Sequence, residues 1–323
     1  MLTKWAMLRT VPSLPSLRGS AWELFVLVHG SSFDVPDPRV SGAGIEIAMR
    51  WRRSPRPPDP IPVHPTFLLI GANKGGTTSL WYYLDQHPDV YMSHIKEPMY
   101  FSFLPNDSVG RPDEQFNVDA VRSWSEYEQL FEPGRSCLAR GEASTSYLRN
   151  PLVSSRIHRK LPNVQLVAIL RNPFDRALSH YQMYQRLGME KLTFSEAIET
   201  EMRQTLATAP RDKRRYLRLG FYGESLTRYL EYFSRTQLQI YLYEDLESRP
   251  MELMADLYRF IGVDQSFIPD TSIRHNAAPT STVPEWDADL RDRYLEMLEP
   301  DLRIVEKLVE RDLPTWRRPS PLR

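Results

Sequence analysis

The sequence predicts an α/β fold of three layers, with helices on both faces of a mostly parallel central sheet. Three observations predict it. The apolar run Phe67-Leu68-Leu69-Ile70 has the length and branching of a strand buried on both faces. Val164 to Leu170 is a second such run, and each of the two is followed by a segment of helical pattern. Leu238 to Leu246 reads as a third core strand, with a helix over Pro250 to Ile261 behind it. Strands that alternate with helices build a parallel sheet.

The chain of 323 residues holds one domain of ordinary size and a tail. Ten of its 27 prolines fall within the first 65 residues, and Trp51 to Pro60 is a basic, structure-breaking run. Residues 1 to 64 are therefore expected to be disordered, and residues 65 to 323 to form the domain. No acid precedes Glu23, so a transit peptide is the alternative for the start. Net charge is zero, which gives no general reason to bind nucleic acid or an anionic membrane. The single cysteine, Cys137, rules out an intrachain disulfide. The early apolar run Phe25 to Val28 is far short of the ~20 residues that span a bilayer. No transmembrane anchor and a cytoplasmic location are the expectations.

After the first strand comes Gly71-Ala72-Asn73-Lys74-Gly75-Gly76-Thr77-Thr78-Ser79, then Leu80, Trp81, Tyr83 and Leu84 at helical spacing up to His87-Pro88. Paired glycines permit a tight turn and close approach of backbone to a ligand. Strand, glycine-rich loop with a lysine, then helix makes a phosphate cradle: free N–H groups and the positive helix end meet at one spot, and Lys74 adds a full charge. The loop is not a Walker A motif, because its lysine precedes the glycine pair. That spacing counts against a kinase or ATPase. Val164 to Leu170 leads into Arg171, and Pro173 suits the first turn of the next helix. Arg171 at the strand end and Ser179 about two turns into that helix can converge on one anion. Asp175 and Arg176 are expected to make structural pairs.

These two segments carry a resemblance. The motif KGGTTSL, from Lys74 to Leu80, resembles the 5′-phosphosulfate loop of sulfotransferases that use PAPS (3′-phosphoadenosine-5′-phosphosulfate). The run LRNPFDRALS, from Leu170 to Ser179, resembles the 3′-phosphate segment of the same family. Lys96-Glu97-Pro98 with Tyr100-Phe101 is similar to the branch holding heparan sulfate and bacterial carbohydrate sulfotransferases. The likeness runs from about Pro65 to Arg317.

The resemblance implies a P-loop-like sulfotransferase fold, PAPS as co-substrate with PAP as product, and no metal. It implies a carbohydrate, glycolipid or small hydroxyl compound as acceptor. Lys74, Gly75, Gly76, Thr77, Thr78, Ser79, Arg171 and Ser179 would bind the nucleotide. Glu97 follows the short strand Val90 to Met92, at the edge where open parallel sheets bind ligands. It would be the general base, with Lys74 stabilising charge; the bland reading of Glu97 is a surface pair with Lys96. Met99 stands where the branch often has a histidine two residues after the glutamate, and His94 is a candidate substitute. Gly141 to Leu148 resembles a strand end that lines the cleft, with Glu142 and Ser144 either there or in structural hydrogen bonds. Tyr222 is the candidate for the family's aromatic residue near adenine, with core packing as the competing reading. Arg274, His275 and Asn276 sit where the family folds a basic loop over the nucleotide, although its Lys-Gly pattern is absent. Two alternatives stand beside sulfuryl transfer: a nucleotide-dependent phosphotransferase and an inactive nucleotide-binding module.

The remaining elements are a long polar loop from residue 102 with a helix around Ser123 to Phe131, a charged helical stretch over Lys191 to Arg215, a helix from Ser225 to Phe233, a polar loop over Ser272 to Thr282, and a helical region from Glu285 to Asp312 broken near Pro300.

Overall fold

The apolar run at Phe67 does form the central strand. A computed structural model describes residues 63–103, 121–205, 215–272 and 284–321. In it β1 (Phe67–Gly71) is buried at all five positions. It pairs in parallel with β3 (Ala139–Ala143) on one side and β4 (Gln165–Leu170) on the other. The short β2 (Val90–Met92) adds to β3, and β5 (Leu238–Leu242) adds to β4. The order is β2-β3-β1-β4-β5, and every pairing is parallel.

Alternation along β1 creates the two outer layers. Phe67 and Leu69 face α1 (Thr77–Leu84) and α9 (Pro250–Ile261), packing with Leu80, Leu84, Met254 and Leu257. Leu68 and Ile70 face the other way. There they join side chains of α3 (Ser146–Arg149), α4 (Val153–Lys160), α5 (Pro173–Arg186), α7 (Tyr222–Leu230) and α10 (Ala288–Val309). Between β2 and β3 lies α2 (Trp124–Gln129), started by a capping box between Ser123 and Glu126. Then α6 (Phe194–Thr205) follows α5, and α8 (Tyr243–Ser248) follows β5.

Two expectations need correction. The third core strand stops at Leu242, not Leu246, because Glu244 and Asp245 fall in the first turn of α8, where acids favour a helix start. The last helical region is not broken at Pro300; α10 runs through it. Proline removes one hydrogen bond there. Leu298, Leu302 and Val305, all fully buried, keep both halves on one core. Just past the proline, the Asp301 carboxylate accepts the N–H groups of Gly223 at 2.8 Å and Glu224 at 2.7 Å, capping α7.

Glu142 and Ser144 do not line a cleft. Both are 0% exposed, in a network at the end of β3. Tyr127 Oη donates to Glu142 at 3.1 Å and Ser144 Oγ donates at 2.8 Å. Burial pushes the Glu142 carboxyl up to about 7, against the pull of its hydrogen bonds to Tyr147, Ser144 and Tyr127, with the Glu97 charge adding to the rise. The folded chain therefore holds a proton that the unfolded chain loses near 4.5. This group's contribution to stability is whole below that value and declines as pH rises to about 7. Urea midpoints at pH 5 and pH 8 should show this, with an upper bound of ~3 kcal/mol. Glu142→Gln should flatten the slope over that window; an unchanged slope would acquit Glu142.

Candidate active site

Lys74, Glu97 and Arg171 lie in the segments that follow the carboxyl ends of β1, β2 and β4. After β1, Lys74 takes a left-handed φ of 64° and Gly76 one of 103°. A Cβ on Gly75 would lie 2.4 Å from the Ile169 carbonyl oxygen, so only glycine lets the loop seat against β4. A Cβ on Gly76 would meet the Tyr243 ring at 2.8 Å. Gly76 occupies the N-cap of α1 with no side-chain cap, and the first turn carries no acid. A helix start with neither a side-chain cap nor an acid in its first turn favours an anion there. Thr77 and Ser79 are buried in the same turn.

Lys74 Nζ reaches 3.9 Å from Met183 Sδ on α5. It has no ion-pair partner among the described residues. Desolvation, then the charges of Arg186, Arg171, Arg176 and Lys96, lower its pKa to about 8. A lysine crowded by four cations gains from an anion, which favours its charged form.

Arg171 ends β4. Its guanidinium lies 4.6 Å over the Tyr243 ring, and its buried Nε–H has no partner among the described residues. Ser179 is half-buried on α5, one helical turn before the Met183 that Lys74 approaches. Asp175 accepts from Ser320 N at 3.0 Å, and Arg176 donates to the Tyr216 carbonyl. The expected structural pairing thus fails for Arg176: it is fully buried, with Nε and one terminal nitrogen unpartnered and no acid in ion-pair reach among the described residues. It adds to the positive field instead.

Glu97 is held from several sides. Its backbone is left-handed, at φ 64°, and its N–H donates to the Ala143 carbonyl at 2.9 Å. One carboxylate oxygen accepts the Thr145 N–H at 2.8 Å. The other accepts Thr145 Oγ1 at 3.1 Å and Lys96 Nζ at 3.3 Å. Met99 N–H donates to Ser144 Oγ at 3.0 Å, pinning the same segment to the end of β3. The side chain of Glu97 stays 23% exposed, and His94 is exposed. The Coulomb effect of Lys96 on Lys74 ties this loop to the cradle.

Tyr222 is 1% exposed, and its hydroxyl donates to the Arg171 carbonyl at 2.9 Å. Arg274, His275 and Asn276 lie outside the described residues. The sequence reading missed Thr145, which fixes the Glu97 carboxylate, and Asn73, whose buried Oδ1 has no partner among the described residues. Thr145 stood in a run singled out for the cleft, but its partner came from a residue 48 positions away. Asn73, Thr145, Arg149 and Tyr222 line one cleft beside Glu97.

Together the fold and site define an α/β domain with a parallel sheet, a glycine loop bearing a lysine after β1, and a carboxylate held at the end of β3. The sulfotransferase domain family matches residues 64–277, and the chain belongs to that family of PAPS-dependent sulfotransferases. Its relatives include the bifunctional heparan sulfate N-deacetylase/N-sulfotransferase 4 of Mus musculus, 31% identical over 210 residues, which is 62% of this chain and 22% of that protein. The human (Homo sapiens) enzyme 2 of the same name is 29% identical over 206 residues, with the same coverages. The match thus spans about a fifth of the length of these curated relatives. A solved sulfotransferase from Alicyclobacillus acidocaldarius is 36% identical and superposes with a TM-score of 0.68, over 79% of this chain and 100% of its own. Among the described residues no helix is long and apolar enough to cross a membrane.

Proposed function

We propose that this chain transfers a sulfuryl group from PAPS to a hydroxyl or amine of a carbohydrate acceptor. The observation that carries the reading is Lys74: a cation ringed by cations, at a glycine loop and a helix start, with no acid in ion-pair reach among the described residues. The residues fit a bisphosphate nucleotide. Lys74 and the helix start from Gly76 to Ser79 would hold the 5′-phosphosulfate, with Gly75, whose N–H donates to the Ala72 carbonyl at 2.9 Å, closing the turn before it, and Arg171 with Ser179 the 3′-phosphate. Tyr222 acts through Arg171, whose carbonyl it holds. Glu97, fixed by Thr145, takes the acceptor's proton as its oxygen or nitrogen bonds to sulfur. The bond from sulfur to the phosphate oxygen breaks, and Lys74 stabilises the charge left on PAP. Family membership favours this over phosphoryl transfer. The heparan sulfate relatives support the carbohydrate acceptor.

Transfer of label from ³⁵S-PAPS to a panel of oligosaccharides tests the reading. Labelled sugar is the expected result. Label on none of the panel, with PAP bound normally, would favour the inactive nucleotide-binding module.

Lys74 also sets a pH dependence. With its pKa at about 8 in the free chain, it is half charged at that pH. Bound phosphates favour the charged form, so binding PAP at pH 8 should take up about half a proton. Affinity should fall as pH rises above 8. Calorimetry in buffers of different ionisation heat reads the proton directly, and zero uptake would remove Lys74 from the contact.

A further inference from the structure

Alternate N–H groups of the loop that carries Glu97 are held by one short segment after β3. The Glu97 N–H goes to the Ala143 carbonyl at 2.9 Å, and the Met99 N–H to Ser144 Oγ at 3.0 Å. The Phe101 N–H goes, more loosely, to Tyr147 Oη at 3.5 Å. The loop needs this support. Glu97 and Met99 are both left-handed, at φ 64° and 54°, a conformation that such residues keep only when their surroundings impose it. The two hydroxyls among these anchors share a further partner. Ser144 Oγ donates to Glu142 at 2.8 Å, and the Tyr147 hydroxyl draws on the same carboxyl. A serine hydroxyl has one proton; with it committed to Glu142, the lone pairs of Ser144 are left for the Met99 N–H. Glu142 itself is 0% exposed, and among the described residues no cation pairs with it.

A buried acid among tyrosines is ordinarily a hub of core hydrogen bonds and nothing more. Here the bonds of the hub lead out to the loop of the base. We infer that Glu142 is a positioning residue for the transfer reaction: through Ser144, with Tyr147 beside it, it sets the loop that aims the Glu97 carboxylate at the acceptor. This rests on the sulfotransferase reading with Glu97 as base, and it adds a control on that same site. The control works by charge. As a carboxylate, Glu142 accepts from Ser144 and from Tyr127 alike. Once protonated it must also donate, so a neighbouring hydroxyl has to turn and the set no longer agrees. Burial brings this change to about pH 7, so the anchor tightens as pH rises through neutrality. The phenols that face Glu142, Tyr127 on α2, Tyr147 on α3 and Tyr229 on α7, are held well above their usual value by burial and stay neutral throughout. The remaining charge that it feels is that of Glu97.

The test is the single-turnover rate of ³⁵S transfer against pH, with the full chain in excess over PAPS and the sugar acceptor saturating. Bound phosphates then keep Lys74 charged, and product release drops out. The native rate should rise about fivefold or more from pH 6 to pH 8, since a small misplacement of a reacting group is costly. Ser144→Ala and Glu142→Gln should each lose about fivefold to tenfold at pH 8 and show no step, while PAP and acceptor bind as before. A merely structural role would not remove the step. In the PAP-bound chain, protection of the Met99 N–H from hydrogen exchange should fall about tenfold in both variants, a readout that needs no turnover. Should Glu142→Gln fail to fold, Ser144→Ala decides, because it leaves the bond from Tyr127 to Glu142 in place. The inference alone is overturned if the native rate is flat from pH 6 to pH 8 while Glu97→Gln is inactive. It is also overturned if the step survives Ser144→Ala, or vanishes in a replacement of the exposed His94 instead. A chain that labels no sugar would bring down the sulfotransferase reading and this inference with it.

Discussion

Arg171→Ala is expected to weaken PAP binding about ten- to a hundredfold and to leave AMP nearly untouched. PAP differs from AMP by the 3′-phosphate, and that group is the one assigned to Arg171 and Ser179. Among the described residues the guanidinium has a buried Nε–H without a partner, and its plane is steadied over Tyr243. A donor left dry and unpaired costs free energy until an acceptor arrives. Its loss should therefore be felt in the ligand that supplies the acceptor. The backbone should survive the change, because Tyr222 grips the carbonyl of Arg171 and not its side chain. Ser179→Ala should act in the same direction and more weakly, since a neutral hydroxyl contributes less than a charged donor. Titration of both nucleotides against both variants checks this. Equal losses for PAP and AMP would move the 3′-phosphate elsewhere.

The cradle was legible because its chemistry is local. An apolar run, a glycine pair with a lysine, and a helical pattern follow one another without a gap, and the structure keeps that order from Phe67 to Leu84. β2 and α9 likewise fall at Val90–Met92 and Pro250–Ile261, where turn residues mark their ends. The short helices α3, α4 and α8 left no such mark, since four to eight residues give periodicity little room. The burial of Glu142 was hidden for another reason. In sequence it is an acid beside serines, and only the docking of Tyr127 and Tyr147 over β3 makes it a core residue. The cleft beside Glu97 is the extreme case. Arg149 and Arg228 of its lining are 79 positions apart, and no spacing rule joins them. What joins them is the packing of α3 and α7 on one face of the sheet.

Glu97→Gln should cost at least two orders of magnitude in transfer rate while PAP binding and melting temperature stay near those of the native chain. A general base contributes typically ~10²–10⁴-fold. The amide cannot take up the acceptor's proton at neutral pH, yet it can keep the local frame. Its carbonyl oxygen accepts the Thr145 N–H as the carboxylate does now, and Thr145 Oγ1 can turn to accept from the new amide. The Glu97 backbone N–H still bonds the Ala143 carbonyl. What is lost structurally is the 3.3 Å pair with Lys96, and a half-exposed pair of that kind contributes on the order of 1 kcal/mol or less. Thr145→Ala offers a second measurement. It leaves the carboxylate chemically intact but removes the Oγ1 donor that orients it, so its loss should be smaller than that of Glu97→Gln. Lys74→Ala should differ from both, weakening PAP as well as the rate, because the lysine meets the nucleotide before and during transfer. Transfer by Glu97→Gln at a near-native rate would end the case for Glu97 as base. Glu142 could not inherit the role, being sealed from any acceptor at 0% exposure, and the exposed His94 would be the next side chain to replace.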